Sequence, residues 1–308
     1  MSHVSTTRGY KGRGRFVLRP LAGGRPFELG NVTALNEAIE IDRTSRQNFQ
    51  EAAGGELDVE ETVTSYTFEA TCDDISPRNI AIGLRGTAAE LPSAEVEEEA
   101  LDVWVGVPAA FRYIPDPDVA PVVAIAATEA HDTANPYTVG EMVLVSTRAY
   151  LCVVAGTSAG SAPTWPTNLG TVTDGGVTWK DLGPVALVAD TDYEVTLHGI
   201  KMLSATAARF SGDLPIALSV DYTRNAQFLI QALVAAGLEY EVTWHGLNSN
   251  DGGNPMLGRY FRVKFSPTSG FGRHGGTDFA TLTLSGTLLS DETREGSGLS
   301  KYQETAMI

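Results

Sequence analysis

Apolar and polar residues alternate over short runs along most of this chain, with Gly, Asn, Asp and Pro between the runs. Alternation with a period of two marks half-buried strands, because successive side chains of a strand point to opposite faces. Arg15–Leu21 reads as a first strand, turned by Gly23-Gly24, and Phe27–Thr33 enters a second extended region. Within Ala34–Asp42, Ile39 and Ile41 alternate with charges, as in a half-buried strand. Arg43–Asp58 is polar and contains Gly54-Gly55, which predicts a long loop. Thr62–Cys72 has the strongest β composition of this half. One helix is expected after it: Ser76 is a good N-cap, Pro77 suits the first helical position, and Gly86 suits the C-terminal stop. The acidic, Ala-rich run Ala89–Leu101 reads as a frayed helix or a loop.

Pro115, Pro117 and Pro121 then break the pattern, and a small β module with its own turns and aromatics runs from about 121 to Gly183-Pro184. Strands resume at Asp190–Ile200, Ile216–Tyr222, Gln227–Val234, Leu238–Gly246, Tyr260–Phe265 and Ala280–Leu289. Short Gly/Asn/Asp turns and the lack of βαβ alternation predict a mainly β fold: an antiparallel β-sandwich or barrel with one short helix, plus a small inserted all-β domain. The expected division is 1–118, 119–186 and 187–308.

Charge adds an asymmetry. The formal net charge is −16, yet Arg8, Lys11, Arg13, Arg15, Arg19 and Arg25 all precede the first acidic residue, Glu28. Such a basic arm can pair with the acidic body of a neighbouring subunit or remain a flexible tail. An acidic whole-protein field argues against nucleic-acid binding. The N-terminal residues lack the apolar core of a signal peptide and no apolar run is long enough to span a membrane, so folding in a cytoplasm is expected. Cys72 and Cys152 are then expected as two separate buried thiols.

Candidate chemistry is sparse. Gly156-Thr-Ser-Ala-Gly160 resembles a nucleophile elbow, but Ser158 lies among hairpins rather than on a strand-to-helix turn. Glu95, Glu97, Glu98 and Glu99 read as a solvated face, and Asn248–Asn254 as a polar loop without complete calcium-ligand spacing. The histidines show no metal-ligand spacing. No catalytic residue, cofactor or metal is expected. The aromatics Tyr137, Tyr150, Trp165 and Trp179 are the sharper candidates, since exposed rings on a small β module stack on sugars. Tyr150 and Trp179 read first as the core of a module too small to have another. Trp165, between Thr164 and Pro166, is the better exposed face.

Two resemblances follow. Tyr137, Gly140-Glu141, Tyr150-Leu-Cys152, Ala155-Gly-Thr-Ser158, Pro163-Thr-Trp-Pro166, Asp174-Gly175 and Trp179 resemble the small inserted domains of tailed-phage virion proteins, which are similar in pattern to chitin- and cellulose-binding modules. The flanking halves resemble the tail tube (major tail) proteins of long-tailed phages. The residues that carry this are Phe27–Thr33, the polar stretch before Thr62–Cys72, Ser76–Gly86, Asp192–Val195, Tyr260–Thr268 and Asp278–Asp291. This second resemblance implies a structural virion protein, made in the host cytoplasm, whose hexameric rings stack into a tube through which DNA passes without specific binding. It further implies contacts with the terminator, tape-measure and baseplate or distal tail proteins. The module's resemblance implies an outward-projecting decoration, either one that binds a cell-surface glycan through Trp165 or one that serves as a spacer without a sugar ligand. A carbohydrate-binding adhesin or tail fibre is the alternative. Within the tube reading, Arg8, Lys11, Arg13 and Arg15 are the candidate assembly arm, and Arg43, Arg46, Phe49, Glu51 and Asp58 the candidate ring-stacking loop.

Overall fold

The computed structural model describes residues 9–50, 54–210, 215–250, 252–268, 270–273 and 279–308. The chain is mainly β and its sheets are antiparallel. In chain order the first elements are β1 (Gly12–Pro20), β2 (Phe27–Glu28), β3 (Val32–Gln47), β4 (Glu56–Cys72), α1 (Pro77–Gly83) and β5 (Thr87–Leu91). Then come β6 (Ala94–Val103), β7 (Pro108–Ala110), β8 (Val122–Ile125), β9 (Pro136–Tyr137), β10 (Met142–Val145), β11 (Arg148–Val154) and β12 (Gly156–Thr157). They are followed by β13 (Thr171–Asp174), β14 (Val177–Pro184), β15 (Tyr193–Thr196), β16 (Gly199–Met202), a 3-10 turn at Ser204–Ala208 and β17 (Ile216–Arg224). The last strands are β18 (Gln227–Gln231), β19 (Glu239–Asn248), β20 (Asn254–Phe265), β21 (Leu282–Leu288) and β22 (Gln303–Met307).

The chain forms two compact units, one of residues 1–89 with 228–308 and one of residues 90–227. In the first, strands run in the order β2-β1-β19-β20-β21-β4-β3, with β22 on the N-terminal half of β20. The sheet is open among the described residues: it ends at β2 and at β3. One face carries the core, including Leu18, Phe68, Val242, Tyr260, Phe265 and Leu284. α1 covers part of that core, and Ser76 caps it by accepting a hydrogen bond from the Asn79 N–H. Arg85, not Gly86, takes the left-handed conformation that ends the helix (φ 46°). Gly86 is needed for another reason: a Cβ there would sit 2.0 Å from the Gln231 carbonyl oxygen. β5 pairs with β18, so the two strands that cross the unit boundary lie side by side.

Two expectations about local structure are corrected here. Arg43–Asp58 is not a loop: β3 and β4 stay paired out to Gln47↔Glu56, and only residues 48–55 connect them. Polar composition misleads there because neither face of the ribbon is buried. Ala89–Leu101 is likewise extended, forming the end of β5 and most of β6, paired with β17. Glu95, Glu97 and Glu98 are exposed while Val96, Leu101 and Val103 turn inward. Glu99, read as part of a solvated face, is half-buried on the inner side, where its carboxylate accepts from the Tyr222 hydroxyl and the Arg112 N–H, each at 2.7 Å.

The second unit contains sheets β10-β11-β14-β13, β6-β17-β8 and β15-β16-β7, with the small pair β12-β9. β11 is buried on both faces. Tyr150 and Cys152 join Tyr137, Val143, Val177 and Trp179 in a module core. Ala149 and Leu151, with Leu182, point the other way into a larger core with Val103, Phe111, Ile125, Ile216, Leu218 and Tyr222. The module at 121–184 is therefore one layer of a larger unit, and the compact units divide at 89/90 and 227/228 rather than at 118/119 and 186/187. The prolines mark a turn-rich connection between layers. Cys72 and Cys152 are free and buried.

Candidate functional site

The β3–β4 hairpin is the least self-sufficient part of the chain. Its outer portion has residues exposed on both faces. Cross-strand partners share a face, so Ile41 and Val63 lie together, and Ile39 and Val59 fall on the same side. The Arg43 guanidinium lies among them, 3.8 Å from Glu61 and 2.6 Å from Glu56. The opposite face carries Glu40, Asp42, Asp58 and Glu60 against Arg46. At the tip, Asn48 receives a backbone bond from its own loop, its side chain accepting from the Gln50 N–H. Phe49 there is 91% exposed. A two-stranded ribbon with one apolar face, one acidic face and no layer over either is marginal in water and invites a partner. Of the stacking-loop candidates, Arg43, Arg46 and Asp58 are strand residues and Phe49 is the tip, while Glu51 lies outside the described residues.

Where the hairpin enters the body it is fixed by a carboxylate. Glu37 accepts hydrogen bonds from the Tyr66 and Tyr260 hydroxyls, each at 2.5 Å. Burial, and then these bonds, push both phenols well above their ordinary pKa. Sequence reasoning missed Glu37; its one signal is a carboxylate on a strand with aromatic partners, which no local pattern reveals.

The basic arm is ordered where it is described. Arg13 and Arg15 lie on β1, opposite Leu247 and His245 of β19. The Lys11 N–H donates to Asn248 Oδ1, and Arg15 stands 3.5 Å from Glu28. This corrects the flexible-tail reading for residues 9–20: alternation with Phe16 and Leu18, both in the core, draws the arginines into the sheet. Arg8 lies outside the described residues.

The module's aromatics converge, but inward. Trp179 is fully buried, its Nε1 donating to Asp174 Oδ2, and Tyr137 and Tyr150 are buried with it. The Trp165 ring lies 4.4 Å from Tyr150 and 5.0 Å from His131, and is half-buried. Tyr150 and Trp179 form the module core, as first read from so small a module, and Tyr137 joins them there; the faces of these three rings are spent on packing rather than open to a sugar. Asp174 also accepts from the Ala159 N–H and contacts His131 Nε2 at 2.8 Å. Burial alone would raise this carboxyl, yet these partners outweigh it and hold Asp174 below the usual range. Gly175 closes the β13–β14 turn at φ 63°, where a Cβ would meet the Thr157 carbonyl at 2.6 Å. The Ser158 hydroxyl donates to backbone carbonyls of Asp132 and Asn135, a structural use. Among the described residues no group of three or more His, Cys, Asp or Glu side chains could hold a metal ion. No helix there is long and apolar enough to cross a membrane.

None of the curated proteins matches this chain. The model of one protein family matches residues 9–164 and 167–306. With nearly its whole length matched, the chain belongs to the family described as "Protein of unknown function UCP028589".

Proposed function

We propose that this is a structural virion protein that assembles into stacked hexameric rings of a phage tail tube, a conduit for genome delivery. The observation that carries the reading is the β3–β4 ribbon, with Ile39, Ile41, Val59 and Val63 on one exposed face and Phe49 at its tip. A monomer gains nothing by presenting these residues, whereas a neighbouring copy covers them. The unpaired sheet ends at β2 and β3 support the same reading, because edge-to-edge continuation between copies satisfies their backbone groups. Hexameric closure, stacking and DNA passage come from the resemblance of the flanking halves to tail tube proteins. In that assembly the 90–227 unit belongs on the outer wall, since a unit of that size would obstruct a lumen. An excess of carboxylates suits a duct whose wall must not adsorb phosphate.

The test is assembly of the purified protein. Negative-stain microscopy and light scattering across concentration and salt should find rings or tubes. A strictly monomeric species under all conditions would overturn the reading.

A further inference from the structure

The first unit contains a cavity of about 530 Å³ beside α1, lined in part by Phe27, Arg78, Arg85, Phe228, Tyr240 and Phe265. Its aromatic walls are apolar, but its rim is cationic. Arg78 lies over the Phe27 ring, with Cζ 4.2 Å from the centroid, and no carboxylate among the described residues pairs with it. The Nε of Arg85 is buried without a hydrogen-bond partner. Glu28, also on the wall, is engaged by Arg15. Phe228 stands at the mouth, more than half exposed. The site is therefore shaped for an aromatic side chain carried on an acidic segment, the cation–π and ion-pair contacts being strongest where water is excluded.

We propose that Phe49 of a second copy of this chain fills this cavity, carried there by the β3–β4 hairpin. Rested on the self-assembly reading above, this names where the hairpin tip goes. Phe49 is a bare aromatic, and the end of the ribbon next to it carries Glu56, Asp58, Glu60 and Glu61 against Arg43 and Arg46. Charge complementarity with Arg78 and Arg85 follows. The hairpin cannot serve its own cavity. Its strands stay paired to Gln47↔Glu56, and β3 alone spans roughly 50 Å at ~3.3 Å per residue, so the tip points away from the body that holds α1.

Cysteine pairing tests this in the full-length protein, where the native thiols are buried. Chains carrying Phe49→Cys are mixed with chains carrying Ala88→Cys, a small exposed residue on the cavity wall, and oxidised mildly. A control mixture uses Val188→Cys, exposed in the other unit. The expected result is a disulfide dimer from the Ala88→Cys mixture in at least tenfold excess over the control, lost when Arg78→Glu is added. Phe49→Ser should weaken self-association tenfold or more and leave the thermal midpoint unchanged, because Phe49 packs on nothing in the monomer. Rings that form without preferential cross-linking at Ala88, or a Phe49→Ser chain that assembles normally, overturn this inference and leave the tube reading standing: the cavity then takes another occupant. Absence of any assembly overturns both.

Discussion

At the scale of single residues, the strongest commitments lie in buried charge. Asp181 on β14 is fully buried, and Arg148 of the neighbouring β11 donates to both its carboxylate oxygens at 3.1 and 2.7 Å. The Gly183 and Leu169 N–H groups donate as well. Burial works to raise this carboxyl, but Arg148 and the two amides outweigh it, and the folded-state pKa is lowered. A depressed carboxylate stabilises the fold fully above its unfolded value of ~3.9, and that contribution is lost as pH falls through the lower folded value. Wild-type stability should therefore drop below about pH 4, and Asp181→Asn should flatten that acid limb while lowering stability at neutral pH. Urea unfolding followed by tryptophan fluorescence at several pH values checks both. Arg148→Ala should cost about 3–5 kcal/mol, because it strands a buried carboxylate. The aromatics give a second residue-scale comparison. Trp179→Ala opens a cavity in a core of few residues and should cost about 3–5 kcal/mol. Trp165→Ala removes a half-buried ring and should cost less. An equal loss in the two unfolding curves would mean that Trp165 is as central as Trp179.

At the scale of elements, the question is which pieces stand alone. Replacing residues 43–61 with an Asn-Gly turn, which joins the cross-strand partners Asp42 and Thr62, should leave the thermal midpoint of the first unit within a few degrees, since that stretch lends nothing to its core, and should abolish assembly. Deleting 121–184 behaves differently. It strips Ala149, Leu151 and Leu182 from the larger core, so the second unit should unfold, read as lost amide protection across β6 and β17. Excising 90–227 with a short linker should spare the first unit, because β5 and β18 already lie side by side and a short closure costs little. These outcomes follow what was and was not legible in the sequence. The strands with clean alternation, β1, the inner half of β4, β19, β20 and β21, were readable because one face of each is buried. So was α1, from Ser76 and Pro77. The outer hairpin was not, because a ribbon exposed on both faces leaves no hydrophobic period to read. β11 carried a signal that was passed over: Ala149-Tyr-Leu-Cys-Val-Val154 is an unbroken apolar run, the mark of a strand buried on two sides, and hence of a module that is a layer rather than an island.

At the scale of the whole molecule, net charge and local contact pull in opposite directions, and their ranges decide which dominates. Each copy carries a formal charge of −16, so neighbours in an assembly repel one another over their full width. The attractive pairing proposed between the hairpin and the Arg78–Arg85 rim acts at contact distance. Salt distinguishes these. The screening length falls from about 30 Å at 0.01 M to about 10 Å at 0.1 M, which removes most of the long-range repulsion and little of a contact made within ~4 Å. Self-association should therefore strengthen as ionic strength rises from 10 to about 200 mM, then level off, because the screening length, about 8 Å at 0.15 M, has by then removed the long-range repulsion and still exceeds the contact distance. Sedimentation velocity at fixed protein concentration measures this directly. Association that weakens steadily over the same range would show that exposed ion pairs, such as the acidic face of the ribbon against the basic strand β1, dominate the contact rather than the apolar burial of Ile39, Ile41, Val63 and Phe49.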